Sequence, residues 1–335
     1  MEIGEDMVRA LTFGLLAATD RETRSQMEHM TVQEADVWLL VREHPTVPLA
    51  STLRLAQALK DAHGSRFALW RTDELVLGVR DGRLVLYTLG GAEVPAPKVV
   101  CVRQMPSSMH EAREVTLLRH LERMGATMLN PVDAHLACRN KFQQLQALAL
   151  AGLPVPDTLS YANAPLEGVL HSPHFEAPCV VKSVWGSKGR EVFLASDKRM
   201  LHDVQGNLSQ QVPLLFQDYV HHSHGRDLRV VVVDGKPVAA QIRTSRGDTL
   251  KSNLAKGGQA TLCAGHYPRA EELAVRAAQA LGLAVAGVDL LFGPDDTFVI
   301  CEVNAVPGWR PEMTDVIPAI TAQIARALGP SRDSG

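Results

Sequence analysis

The apolar positions of this chain fall into two kinds of stretch, short continuous runs and longer segments with helical spacing, and the two alternate. A run at 37–41 is followed by helix-spaced residues at about 51–63, stopped by Gly64, and by a second run at 66–70. Segments 75–79 and 84–87 flank Asp81-Gly82 and read as a hairpin, 98–102 as a buried strand, and about 108–124 as a helix closed by Gly125. Residues 36–131 therefore predict an α/β layer. The preceding residues 1–35 carry a polar-flanked helical pattern and read as an N-terminal extension, a candidate contact for a homo-oligomer.

Beyond residue 131 the pattern changes. Asn140 is a candidate cap for a helix over 141–151, which Gly152 ends. Strands are expected at 179–184, 191–195 and 213–220, then as an antiparallel pair, 226–233 and 238–243, about Asp234-Gly235. A helix at about 268–281 leads to a last hairpin at 287–304. These elements predict two α+β units, 132–215 and 216–330.

Polar residues break three of the apolar runs. In the last hairpin they are Asp289, Glu302 and Asn304. With a turn over 293–296, Asp289 faces Ile300 and the three share one face, Glu302 lying diagonal to Asp289 at roughly 7–8 Å. Two carboxylates and an amide oxygen suit Mg²⁺, which takes oxygen ligands and shares them with substrate phosphates. Acids facing solvent on an edge hairpin are the competing reading. Lys182 sits inside the run 179–184, where a buried ammonium needs an anion. The loop Gly186-Ser187-Lys188-Gly189 follows, able to bring backbone N–H groups to that anion. Lys141, on the first turn of its helix, opposes the helix dipole by roughly 0.3–1 kcal/mol and by itself reads as a surface residue. The third run holds Asp227 and Arg229. A two-residue loop at 234–235 would pair Asp227 with Ile242; a three-residue loop at 234–236 pairs it with Arg243, and the longer loop is expected because the chemistry needs these charges on one side.

Composition narrows the classes. With 335 residues, 46% of them hydrophobic, the chain can build two or three full cores, and a net charge of −3 without a basic run predicts no nucleic-acid partner. No apolar run reaches the length of a membrane span. Five cysteines, scattered singly through mostly apolar surroundings, read as core residues of a cytoplasmic protein. His221, His222 and His224 lack the partners of a zinc site and read as a polar connector. Neither a dinucleotide fingerprint nor a P-loop is present.

The order of these features is more specific than any one of them. A lysine at a helix start, a strand lysine, a glycine loop, an Asp/Arg hairpin, Lys251-Ser252-Asn253, Gly257-Gly258, then Asp289 and Glu302-Val303-Asn304 together resemble the ATP-grasp carboxylate–amine ligases. Asn140-Lys141-Phe142, the segment 152–161, Val180–Ser183 and 216–233 are similar to RimK-like glutamate ligases, in particular the branch making N-acetylaspartylglutamate and β-citrylglutamate. The resemblance implies an α+β ATP-grasp fold, an α/β pre-grasp domain followed by two subdomains clasping ATP. It implies that Lys141 and Lys182 contact the ATP phosphates under the Gly186–Gly189 loop. Gln217, Asp218 and Tyr219 would lie at the adenine hinge and Asp227 at the ribose. Arg243 and Lys251-Ser252-Asn253 would reach the transferring phosphoryl group, and Asp289, Glu302 and Asn304 would hold Mg²⁺, with Mn²⁺ as a substitute. Arg243 and Lys182 are the implied catalytic cations. The substrates would be a small carboxylic acid or a peptide C-terminus and an amine, L-glutamate by resemblance. Arg229, Arg243, Lys256, Gly257, Gly258, Trp309 and Arg310 are the candidates to bind them, with Trp309 either stacking on a substrate or covering the core. Rival readings are a ligase for a different amine and a nucleotide sensor without turnover. The chain departs from the relatives at Asp218, where Glu is common, and over Ala305–Trp309.

Overall fold

The alternating first segment builds a parallel sheet. The computed structural model describes residues 34–41, 50–103, 111–172, 174, 176–185, 192–204, 213–245 and 258–329. Its first elements are β1 (Val37–Val41), α1 (Ala50–His63), β2 (Phe67–Arg71), the hairpin β3 (Leu75–Arg80) and β4 (Arg83–Thr88), β5 (Val99–Val102), α2 (Glu111–Arg123) and β6 (Thr127–Leu129). The parallel strands run in the order β2-β1-β5-β6. From β1 the chain steps outward to β2, and from β5 outward in the other direction to β6. The carboxyl ends of β1 and β5 thus flank a topological switch point.

Two short helices, α3 (Val132–Arg139) and α4 (Lys141–Leu150), lead to the second sheet. It comprises β7 (Thr158–Ser160), β8 (Cys179–Ser183), β9 (Val192–Ala195) and β10 (Leu214–Asp218), with α5 (Leu166–Leu170) and α6 (Lys198–Val204) between them. The strand order is β7-β10-β8-β9, antiparallel throughout. The third sheet, β13-β12-β11-β14-β15, is also antiparallel. Its strands are β11 (Arg226–Val233), β12 (Lys236–Thr244), β13 (Gln259–Leu262), β14 (Val285–Phe292) and β15 (Phe298–Asn304), accompanied by α7 (Pro268–Ala280) and α8 (Val316–Leu328).

Strand β11 explains its own continuous apolar run. Val230 and Val232 face α7, whose Ala270, Ala274, Ala277 and Ala278 allow close approach, while Val231 and Val233 face α8 and the first sheet. A strand buried on both faces cannot alternate. Each such valine contributes about 1.5–3 kcal/mol on burial.

The predicted helices and strands lie within a few residues of their expected limits, while α3, α8 and the strands β6, β7 and β13 were not expected, and both predicted hairpin loops need correction. The loop between β11 and β12 is the two-residue Asp234-Gly235, both at positive φ (51° and 69°), with Val233 opposite Lys236. Asp227 nevertheless pairs with Arg243, because a bulge at Val231/Val232 shifts the ladder by one residue. Pro237 sits at that break and has no N–H to donate, which favours a bulge there. In the last hairpin Phe292 pairs with Phe298, not Thr297, so the loop is one residue longer than expected. A bulge between Asp289 and Leu290 then sets Asp289 directly opposite Glu302 rather than Ile300.

Strand β15 lies at the edge of its sheet, and its outer backbone groups are met by neighbours. Ile300 N–H donates to the Pro154 carbonyl at 2.8 Å. The buried Gln144 carboxamide acts as a substitute strand: its Nε2 donates to Val303 O and its Oε1 accepts from Val303 N, both at 2.7 Å. The fully buried Asn130 does the same for β14, donating to Val285 O at 2.7 Å and accepting from Val285 N at 2.8 Å, and it also donates to Ala305 O at 2.8 Å.

Candidate active site

The bulges align charged side chains in a row across the third sheet. Asp227 and Arg229, two apart on β11, share a face; Arg243 stands opposite Asp227, Asp289 opposite Arg229, and Glu302 opposite Asp289. Arg229 grips Asp289 with a two-bonded fork, Nε and Nη2 each 2.6 Å from a carboxylate oxygen. Arg243 Nε lies 2.7 Å from Asp227 Oδ1, its Nη2 bonds the other Asp227 oxygen, and the same Nη2 is 3.1 Å from Asp289. Burial pushes the Asp227 carboxyl up, opposed by the Arg243 fork. Burial also raises Asp289, but the Arg229 and Arg243 guanidiniums outweigh it and hold that carboxyl below the usual range.

The row continues onto α4. Asn140 caps this helix, its Oδ1 accepting from Phe142 N at 3.0 Å and Gln143 N at 3.1 Å. Lys141 Nζ comes 3.5 Å from Glu302 Oε1, and Lys141 N–H donates to Val184 O at the end of β8. That bond ties the first lysine to the strand bearing the second. Lys182, 5% exposed, directs Nζ at Gln217 Oε1 (2.8 Å) and lies 3.9 Å from Cys301 Sγ across the gap between the two antiparallel sheets. Burial pushes the Cys301 thiol up.

The predicted residues thus divide into three groups. Lys141, Lys182, Gln217, Asp227, Arg229, Arg243, Asp289, Glu302 and Asn304 converge on one cleft; Asn304 donates Nδ2 to Gly287 O at 3.4 Å, a bond that does not use Oδ1, the atom able to ligate a cation. Gly186, Ser187, Lys188, Gly189, Lys251, Ser252, Asn253, Lys256 and Gly257 lie outside the described residues. The remaining candidates are Asp218, Tyr219, Gly258, Trp309 and Arg310. Trp309 is 7% exposed and its ring packs with Val231, Val285 and Met313, the core-covering alternative of the two expected for it. Arg229 and Arg243 both hold carboxylates through their forks, Asp289 and Asp227 respectively. Arg310 bonds Glu312 and the Ala260 carbonyl, and with Gly258 it lines an open cleft that includes Ala260, the strand partner of Arg243. Asp218 N–H donates to Asp157 O, and the Tyr219 hydroxyl pairs with His224 Nδ1 at 2.6 Å.

Two residues were missed. Gln144 belongs to the buried stripe Lys141, Gln144, Leu145, Leu148, a spacing that places it inside. Asn130 gave no comparable signal. Among the described residues no group of three His, Cys, Asp or Glu side chains could hold a metal, so a cation here depends on two carboxylates and the Asn304 amide.

Two antiparallel sheets closing on a cation-rich cleft, beside a parallel α/β unit, define the ATP-grasp class. The chain belongs to the RimK-like ATP-grasp family: the family's RimK-like ATP-grasp domain matches residues 138–328. It is 37% identical over 279 residues to human beta-citrylglutamate synthase B, covering 82% of this chain and 72% of the relative. It is 36% identical over 311 residues to mouse N-acetylaspartylglutamate synthase A, covering 90% and 81%. The fold is similar to that of the ATP-grasp ligase PsnB, solved with a minimal precursor, Mg and ADP (TM-score 0.66, 20% identity, 89% of this chain and 99% of that one). It is also similar to the macrocyclase MdnC of Microcystis aeruginosa (TM-score 0.61, 20% identity, 87% and 99%). The protein is an ATP-dependent ligase that forms C–N bonds and releases ADP.

Proposed function

We propose that the protein joins the amino group of L-glutamate to the carboxylate of a small acid by way of an acyl phosphate. The observation that carries the site assignment is Lys182. Its buried ammonium is answered only by an amide oxygen and a thiol, with no carboxylate among the described residues. Such a cation calls for an anion from outside. Among the described residues the site sets four cations (Lys141, Lys182, Arg229, Arg243) against three carboxylates (Asp227, Asp289, Glu302), a surplus that suits a polyphosphate.

Lys141 and Lys182 would hold phosphate oxygens, with the loop 186–189 covering them and excluding water from the acyl phosphate. Arg243 would face the transferring phosphoryl group with Lys251, Ser252 and Asn253, stabilising charge as it develops. Asp289, Glu302 and Asn304 would hold Mg²⁺ or Mn²⁺, which neutralises phosphate charge during transfer. The two guanidiniums keep Asp289 ionised for that role. The amine assignment is supported by the two relatives above, whose names both contain a glutamate conjugate as the product of a synthase. All five cysteines are free, which suits the cytoplasm, and no described helix is long and apolar enough to cross a membrane.

The test is incubation with ATP, Mg²⁺, L-glutamate and a pool of citrate, N-acetyl-L-aspartate, succinate and short peptides, followed by ADP measurement and product mass. ADP formation should depend on both an acid and glutamate, and the product should be heavier by one glutamyl group. A product carrying another amino acid would move the amine assignment. No acid-dependent ADP across the pool would point to a nucleotide sensor.

A further inference from the structure

Arg103 is the first residue after β5. Its backbone N–H donates to Leu40 O at 2.9 Å, so it stands at the carboxyl ends of β1 and β5, the switch point of the parallel sheet. Crevices at such points are where open α/β sheets bind ligands. The side chain is 2% exposed, and its guanidinium lies 4.1 Å above the centre of the Trp309 ring. Two of its nitrogens, Nε and Nη2, are buried without a hydrogen-bond partner, and so is the neighbouring Trp309 Nε1. No carboxylate among the described residues pairs with it. Burial pushes its pKa down to about 10, which leaves it charged at neutral pH.

The identity of the orphaned atoms is informative. Nε and Nη2 form one edge of the guanidinium, the edge that receives a carboxylate side-on through two parallel bonds. An arginine stacked on an indole only for packing has no reason to keep that edge and the indole N–H unanswered inside the protein, where each unmade bond is destabilising. The location links these donors to the ligase cleft. Trp309 ends the segment that starts at Asn304, and this segment is held against β14. A Cβ added at Gly287 would come 2.7 Å from Pro307 Cβ, so only glycine at 287 admits the approach. Asn130 grips Ala305 O from the other side.

We propose that Arg103, with Trp309 Nε1, binds a second carboxylate of the acid substrate, one that is not activated and is retained in the product. The inference rests on the ligase reading above and deepens it: the acceptor is a di- or tricarboxylate held at one end by the switch point while its other carboxylate reacts in the cleft. Arg103 is a binding residue for substrate and takes no part in ATP binding.

Calorimetric titration of the full chain tests it without turnover. Citrate, tricarballylate, succinate, N-acetyl-L-aspartate, acetate and L-glutamate would each be titrated into the protein with Mg²⁺ and a non-hydrolysable ATP analogue, for the wild type, Arg103→Lys, Arg103→Gln and Trp309→Phe. At least one polycarboxylate should bind the wild type more tightly than acetate. Its affinity should fall about 100-fold in Arg103→Gln, about 10-fold in Arg103→Lys and about 5-fold in Trp309→Phe. Affinity for the ATP analogue should stay within twofold, which separates failure of this site from failure of the nucleotide site. The ligand-free Tm of Arg103→Gln should hold or rise, because an uncompensated buried charge is removed. A lower Tm with unchanged acid affinity would assign Arg103 a packing role and overturn the proposal. So would loss of glutamate affinity in place of acid affinity, or a wild type that binds no polycarboxylate. Arg103→Lys keeps the charge and decides the matter where Arg103→Gln does not fold.

Discussion

Asp289 and Glu302 are chemically similar and face each other across one ladder, yet they are not equivalent. Asp289 has a side chain 9% exposed and answers two guanidiniums; that of Glu302 is 29% exposed and meets one ammonium at 3.5 Å. Removing the first charge leaves Arg229 and Arg243 buried beside a single remaining carboxylate, Asp227. Asp289→Asn should therefore lower stability to urea by about 3–5 kcal/mol, whereas Glu302→Gln should stay within about 1 kcal/mol. Both should abolish measurable Mg²⁺-dependent ADP formation. Equal stability losses would show that Arg229 does not depend on Asp289. The sequence made these residues visible because each interrupts an apolar run. It hid Arg103, whose guanidinium follows an ordinary buried strand and gains its meaning only from Trp309, more than two hundred residues later.

At the scale of elements, the existence and type of most were legible, though not of α3, α8 or the short strands β6, β7 and β13, while loop lengths and bulges were not. Helix α4 could be read from its cap and its spacing, and β11 from its unbroken valines. The two bulges could not, because a period of two tells which face a residue takes only if the count is never interrupted. Pro237 was the one local clue. The chain achieved the expected Asp227–Arg243 pair by a different route from the expected longer loop. Gln144 is the element-scale counterpart of this lesson, a helical side chain completing a strand. Gln144→Leu fills the space but strands both polar groups of Val303, at roughly 1–3 kcal/mol for each. Denaturant titration should show a loss of about 2–4 kcal/mol, and KM for ATP should rise because Val303 lies between Glu302 and Asn304. A stable Gln144→Leu with unchanged KM would show that β15 holds its place without the helix.

For the whole molecule, the order of motifs carried more than any single motif. Seven weak signals in one sequence order pointed to a clasp of two sheets, and the two sheets are present. What the order could not supply was how the first unit meets the third. That contact is a shared core in which β1, β5 and α1 pack with Val231, Val233 and α8, together with the Asn130 bonds to Val285 and Ala305. Contacts so distant along the chain leave no local pattern.

The covering of β15 has a consequence for assembly. The strand that carries Glu302 and Asn304 is finished by Pro154 and Gln144, and Asn130 holds Ala305 just beyond its end, all supplied from upstream of the sheet it belongs to. Without them its outer rim would offer open amide and carbonyl groups, a template for another chain. A fragment of residues 213–329 should accordingly self-associate through this rim, giving a concentration-dependent rise in mass by light scattering. Adding back residues 128–155 as a separate peptide should suppress it. A fragment that stays monomeric alone would show that the rim is harmless. Suppression by the peptide would make the upstream segment more than a carrier of Lys141: it would chaperone, within the same polypeptide, the strand on which the metal is expected to sit.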